Sequence, residues 1–439
     1  MNVGIKITVG ENLKRIRKDL GLRQHEVAGD DITRNLISLI ENDKAVLYDT
    51  AANIMAKNIN KLMDEKNRNI FIKTEDLLNP ERYDVRIKSN KYIAELEAML
   101  INKNYCIETE KLNDIEAFMN QWDIVDKKVR IYELVGDIFY LANNLNKEYY
   151  YYFKALESSY DYPNMKGRYK LSLKLVYNCI ITGKNEEAIN LCNYMLISQD
   201  DISTKSKGIF YYNIALARKR LDEIDECLKS LSKAKNFFDK TDYKNLKNVY
   251  MLEGICFSKF DDYTSALQCY NKILDFLNEE KNLDEICATY VNIILIYIKK
   301  DDRESVIKYL DKVMIKLPYV NEDSFYITEI YFEISNVLLY LKRYDDCEEY
   351  LNVALALSDE SGNHNFYNKY LSSLMELYIE ANYLDKLTNL LKTLEDETKD
   401  IKLNEESTLV LKLLLYFLKQ NNNKEAEKFI EDLLNKKEV

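Results

Sequence analysis

From Val129 to the C-terminus the chain repeats itself about every forty residues. With Val129, Tyr169, Gly208, Lys247, Cys287, Thr328, Asn368 and Ser407 as the first residues of successive units, the steps are 40, 39, 39, 40, 41, 40 and 39. Each unit carries an aromatic or apolar residue, then small or apolar residues three or four on, and later an Ala, Cys or Val with further apolar residues at the same spacings. The first unit has Tyr132, Val135, Gly136, Phe139, Tyr152 and Ala155; the third has Tyr211, Ile214, Ala215, Cys227, Leu231 and Ala234. The fifth has Tyr290, Ile293, Tyr297, Val306, Leu310, Val313 and Pro318; the last has Leu413, Phe417, Ala426, Ile430 and Leu433. Such spacings put the residues on one face of each helix. A unit of this size is a helix pair that buries its apolar face only by stacking on its neighbours.

Composition agrees. Only 10 Gly and 3 Pro in 439 residues leave little turn chemistry for sheets, and 31% charged residues suit exposed helix faces. The 35 Tyr fit the wedges between stacked helices. The pattern resembles the tetratricopeptide repeat, with a period longer than the usual one, over about 310 of the 439 residues. That resemblance implies an all-α fold, a right-handed solenoid of helical hairpins. A less regular pair around Tyr92, Leu96, Met99, Leu112 and Met119 is expected to cap its N-terminal side.

Several function classes are disfavoured. The strongest apolar runs, residues 291–298 and 410–418, are interrupted by Asn292 and Lys412 and fall short of a membrane span. The N-terminus lacks a cleavable signal pattern, so a cytoplasmic protein is expected. The Cys at 106, 179, 192, 227, 256, 269, 287 and 347 form no CxxC and have no nearby His, which favours packing over metal binding. Cys227 and Cys347 take the small-residue position of Ala188, Ala266 and Ala426. The only His are His25 and His364, and GxxxxGK[ST], GxSxG and HExxH are absent, so neither an enzyme nor a bound cofactor is expected.

Ahead of the repeats, Gly10 to Arg17 opens an amphipathic helix with Leu13, Ile16 and Leu20 inward, ending at Gly21. Leu22 to Ala28 is a second, short helix, and Gly29, Asp30 and Asp31 make the turn. Thr33 can cap a third helix from Arg34 to Asn42, with Ile37 and Ile40 inward. Ala51, Ile54, Met55 and Ile59 build a closing helix. Through LKRIRKDLGL, LRQHEVA and ITRNLISLIEN this segment resembles the helix-turn-helix of the λ-repressor and xenobiotic-response-element type. Its turn is one residue tighter than the common form, and Asp43 stands where Gly usually ends the recognition helix, which demands a left-handed or adjusted backbone there.

The resemblance implies that the start of the third helix enters the major groove of double-stranded DNA. Arg34 and Asn35 become the base-edge readers, Arg on guanine and Asn on adenine. Leu36 or Leu39 would meet a thymine methyl, and Gln24, Thr33, Ser38 and Lys44 would hold phosphates. Arg17 and Glu41 are expected to form an internal salt bridge, and His25 to lie on the surface. Residues 1–75 carry 13 Lys+Arg against 11 Asp+Glu, or +2, while the remaining 364 carry 49 against 62, or −13. So weakly basic a reader should bind DNA poorly alone. A homodimer on a palindromic operator is therefore expected.

The layout expected is a reader at residues 1–65, a helical or partly ordered linker at 66–88, and a repeat domain of about nine helix pairs at 89–439. In a right-handed stack the first helices line the concave face. The groove positions give Arg130, Glu133, Asp137, Lys174, Tyr177, Tyr212, Asn213, Met251, Asn292, Phe332, Glu333, Asn336 and Lys369. Asn213 and Asn292 hold the same repeat position, and Asn can clamp an extended peptide backbone. The whole layout resembles the Rap, Rgg, NprR, PlcR and PrgX family of Gram-positive bacteria, the RRNPP quorum-sensing receptors. It implies a cytoplasmic, peptide-responsive transcription regulator of Firmicute origin. The alternative is an adaptor or anti-activator whose repeats dock a folded protein.

Overall fold

The computed structural model describes residues 7–162, 165–198, 202–279, 281–321, 324, 326–360, 364–383, 385–387, 389 and 390. The last sequence unit, from Ser407 with Leu413, Phe417, Ala426, Ile430 and Leu433, lies outside the described residues, as do the apolar run 410–418 and the side chains of His364 and Asn368. Among the described residues the structure is helical and contains no strand. None of its helices is long and apolar enough to cross a membrane. Packing divides the chain into two compact units, Met1–Val249 and Tyr250–Val439.

The first unit opens with five helices: α1 Val9–Asp19, α2 Gln24–Ala28, α3 Arg34–Glu41, α4 Asp49–Glu65 and α5 Thr74–Leu78. Next come α6 Glu81–Ile101 and α7 Thr109–Gln121. Hairpins follow: α8 Val125–Leu141 with α9 Leu145–Ser159, α10 Arg168–Ile181 with α11 Asn185–Ile197, and α12 Thr204–Arg220 with α13 Ile224–Phe237. Helix α14 Tyr243–Lys259 contains the boundary between the units. The second unit continues with α15 Tyr263–Phe276, the pair α16 Leu283–Lys299 and α17 Arg303–Lys316, then α18 Ile327–Tyr340 with α19 Tyr344–Glu360, and α20 His364–Glu380.

Among the described residues seven repeats each turn on one left-handed residue. Asn143, Gly183, Asp222, Asp261, Asp301, Lys342 and Asn382 have φ of 54, 79, 64, 57, 55, 61 and 56°. Each stands 14 residues after its unit's first residue, from Val129 to Asn143 through to residues 368 and 382. The next amide in every case reaches back to the carbonyl five residues earlier: Asn144 to Phe139 at 2.9 Å, Asp302 to Tyr297 at 2.9 Å, Tyr383 to Tyr378 at 2.8 Å. This closes the first helix on its own orphan carbonyls and aims the chain into the second.

Inside a hairpin, small residues on the first helix face large ones on the second. A Cβ on Gly136 would lie 2.5 Å from the Tyr152 ring, and one on Gly254 would lie 2.7 Å from Tyr270. The same two positions hold Ala215 and Leu231 in the hairpin α12/α13, and all six residues of the three pairs are buried. Seven of the eight Cys are buried as packing thiols, Cys106 alone being exposed.

The N-terminal helices form their own core around Leu13, Ile16, Ile37, Ile40, Met55 and Ile59. Ile72 and Leu77 pack into that core too. Residues 66–88, expected as a helical or partly ordered linker, contain α5 and the start of α6. Asn12 on α1 donates to the carbonyls of Asp76 and Leu77, both at 2.9 Å. The buried Asp76 carboxylate accepts from Arg82 Nε at 2.6 Å and lies 3.5 Å from Arg86. Arg86 grips Asp126 on α8 with two bonds, at 3.1 and 2.7 Å. Lys73 pairs with Asp123. The joint between the N-terminal helices and the first hairpin is thus a buried network of alternating charges; its partners come from distant stretches of sequence, which is why the sequence reads only as weak periodicity.

Candidate functional site

At α3 the physical basis of a recognition surface can be followed residue by residue. Thr33 caps the helix, its hydroxyl oxygen accepting from Leu36 N at 3.2 Å. Arg34 and Asn35 stand exposed in the first turn, and Leu39 is exposed one turn further on. Leu36 and Ser38 are half-buried. On the other side Ile37 and Ile40 are sealed into the core. The backbone of α3 is also pressed against α1, since a Cβ on Gly10 would sit 2.0 Å from the Ile40 carbonyl. After α3, Asp43 takes φ 55°, the left-handed backbone that its sequence position demands, and accepts from Thr8 Oγ1 at 2.9 Å. Lys44 is exposed, its N–H bonded to the Leu39 carbonyl at 2.8 Å.

Arg17 and Glu41 form a two-pronged ion pair, Nη2 to Oε2 at 2.9 Å and Nε to Oε1. Gln24 Nε2 donates to the same carboxylate at 2.8 Å. Burial alone would raise the Glu41 pKa, but the bonds from Arg17 and Gln24 hold it below the usual range. Gln24, expected on a phosphate, is therefore turned half-buried into this network. His25 is exposed. Sequence reasoning passed over Val46 and Tyr48, which stand 66% and 69% exposed just after α3. Two large apolar residues in a short loop without a helical register were the available signal.

Six of the thirteen expected groove residues line a cavity, Asp137, Lys174 and Tyr177 in the first unit and Met251, Asn292 and Glu333 in the second. In the first unit, a cavity of about 410 Å³ is lined by Asp137, Tyr140, Glu148, Tyr152, Leu173, Lys174 and Tyr177. Lys174 Nζ bridges Glu133 at 2.8 Å and Asp137 at 2.6 Å, and Tyr152 donates to Asp137 at 2.8 Å. Arg130 spans Glu133 and Glu97 at 3.0 and 2.9 Å. Burial would raise the Glu133 pKa, and these two cations keep it below the usual range. Tyr140 and Tyr177 meet edge to face, centroids 6.0 Å apart. Tyr212 and Asn213 are half-buried on α12 and line neither cavity.

In the second unit, a cavity of about 230 Å³ is lined mainly by Met251, Ile255, Ala288, Val291, Leu295 and Ile330, with Asn292, Tyr326, Glu329 and Glu333 as its polar members. Asn292 Nδ2 is committed to the Ala288 carbonyl at 2.9 Å. Asn336 donates to Glu333 at 3.2 Å, yet burial still raises the Glu333 pKa. Phe332 departs from expectation: it is buried, its ring stacked on Tyr370 with centroids 4.4 Å apart and Lys369 Nζ 4.1 Å from its centroid. A ring at that position fills the wedge to the next hairpin instead of facing a ligand.

No protein-family model matches the chain, and no curated protein matches it. Among solved structures, apo quorum sensor NprR from B. thuringiensis is similar at 13% identity and a TM-score of 0.45, over 96% of this chain and 99% of that one. A tetratricopeptide repeat protein from Parabacteroides merdae matches at 12% identity and a TM-score of 0.48, over 64% of this chain and 98% of that one. A Rap protein complexed with Competence and Sporulation Factor matches at 14% identity and a TM-score of 0.45, over 81% and 98%. Likeness at these values carries no chemistry over to this chain.

Proposed function

We propose that the chain is a DNA-binding regulator whose helical repeats sense a ligand, with no enzymatic step of its own. The observation that carries the reading is the state of Arg34 and Asn35. Both are exposed at the start of a helix whose opposite face is fixed by the core and by the Arg17–Glu41–Gln24 network. Two side chains able to read guanine and adenine are thus presented on a rigid support, which supports base readout. Lys44 and Thr33 flank them as phosphate contacts, and Leu39 as an apolar contact to a thymine methyl. The cavities of the repeats, apolar or aromatic with a few charged groups, have the make-up of ligand sites. A short peptide is the ligand we favour, with two copies of the chain on a palindromic operator.

The test is selection from a random duplex library by the full-length protein at low salt, with a short-peptide library then added. A recurrent sequence is expected, its affinity changed by a subset of peptides. Failure to enrich any sequence would remove the DNA-binding reading.

A further inference from the structure

Glu148 is the one carboxylate of the first cavity that its surroundings leave unanswered. It is 1% exposed, and neither of its oxygens has a hydrogen-bond partner among the protein atoms. Its place in the first turn of α9 lets the helix dipole favour an anion without supplying a bond. The other polar groups of the cavity are already engaged: Lys174 with Glu133 and Asp137, and the Tyr152 hydroxyl with Asp137. Asn178, also fully buried, donates one of its two Nδ2 hydrogens to the Leu145 carbonyl at 2.9 Å, and its amide is the one neutral group that favours the Glu148 anion. Burial accordingly raises the Glu148 pKa, the Asn178 amide offsetting part of the rise and Asp137 adding to it.

An unpaired carboxylate away from water is unfavourable unless a cation reaches it. Here the route to Glu148 is a cavity of about 410 Å³ walled by the Tyr140, Tyr152 and Tyr177 rings. Aromatic faces attract cations, and one already does so here, with Lys174 Nζ 5.4 Å from the Tyr152 centroid. The cavity also holds more acid than base: Asp137 and Glu148 against Lys174.

We infer that this cavity receives a guanidinium or ammonium group of the ligand, the side chain of a basic residue in a short peptide, with Glu148 as its counter-ion and the tyrosine rings as its walls. The inference deepens the peptide-sensing reading above and rests on it for the source of the cation.

The experiment is calorimetry of the full chain with two blocked peptides, N-acetyl-Ala-Arg-Ala-amide and its citrulline counterpart, alike in shape and different in charge. The arginine peptide should bind at least about tenfold more tightly, the worth of one charge-assisted bond pair. Glu148→Gln should erase that preference while leaving the melting temperature equal to or above that of the unaltered chain, because it removes a buried charge that lacks a partner. Tyr177→Leu, at a half-exposed ring, should weaken the arginine peptide without affecting folding. Equal binding of the two peptides, a preference that survives Glu148→Gln, or no binding of either peptide or of n-butylguanidinium would overturn the inference. Binding of n-butylguanidinium with the same dependence on Glu148, but of no peptide, would keep the cation site and remove the peptide as its source. Tight peptides without any cation would do the reverse.

Discussion

Arg17 on α1 grips Glu41 on α3 with two nitrogens, and Gln24 on α2 donates to the same carboxylate, so one buried acid ties three helices together. Removing one partner strands the other. Arg17→Ala should lower the stability of the N-terminal domain by about 3 kcal/mol. Amide hydrogen exchange of α1 and α3 should show it, with protection lost there while α16 to α19 keep theirs.

The same carboxylate sets a pH dependence. The Glu41 pKa is lower in the folded chain than its ordinary value. Its contribution is therefore complete above the ordinary carboxylate pKa and disappears as pH falls through the lowered one. Protection of α1 and α3 should fall on acidification in the unaltered chain more steeply than in Glu41→Gln, which has no such titration. Equal slopes would assign the acid loss to other groups.

On the recognition face, Arg34→Ala should cost about 1–3 kcal/mol with the selected operator and relax the choice of one base pair. Lys44→Ala should instead weaken all duplexes alike and reduce the salt slope by about one ion. Electrophoretic or anisotropy titrations at several salt concentrations separate the two behaviours.

Gly254 and Tyr270 test the packing rule. With a Cβ only 2.7 Å from the ring, Gly254→Ala should destabilise the second unit by about 1–3 kcal/mol. Adding Tyr270→Leu recreates the Ala215 and Leu231 combination and should recover part of the loss, read as the non-additivity of a double-mutant cycle.

Lys342 holds φ 61° on an exposed turn. A side chain with a Cβ is strained there, so Lys342→Gly should stabilise by about 0.5–1 kcal/mol and Lys342→Val should destabilise by more. Chemical denaturation of the full chain checks the order of the three.

The repeat register was legible because packing imposes it on every unit: Tyr132, Tyr211 and Tyr290 recur where a ring must fill the same wedge. The left-handed turn residues are mostly Asn, Asp or Gly, types that tolerate that backbone, yet their role at one fixed place in each unit is plain only once φ is known. Asp43 could be read directly, since a non-Gly residue at that helix end leaves few backbones open. What could not be read depends on neighbours remote in sequence. Glu148 looks like any first-turn acid until α10 covers it. Phe332 shares its repeat position with Glu133 and Tyr212, so position alone cannot say that Tyr370 will stack on it. Asp76 lies in a stretch of weak periodicity, and its value comes from Arg82, Arg86 and Asn12.

That last cluster has a mechanical consequence. A hinge needs a segment whose bonds can be exchanged with water at little cost, and the stretch joining the reader to α8 offers none around Asp76, Arg86 and Asp126, where the charges are buried and mutually satisfied. Slack at this joint would swallow a small movement before it reached α3. A stiff coupling passes it on: were α8 to tilt, Arg34 and Asn35 would swing through an arc set by the N-terminal helices' own radius, with the first hairpin as the short arm of a lever and α3 as its tip.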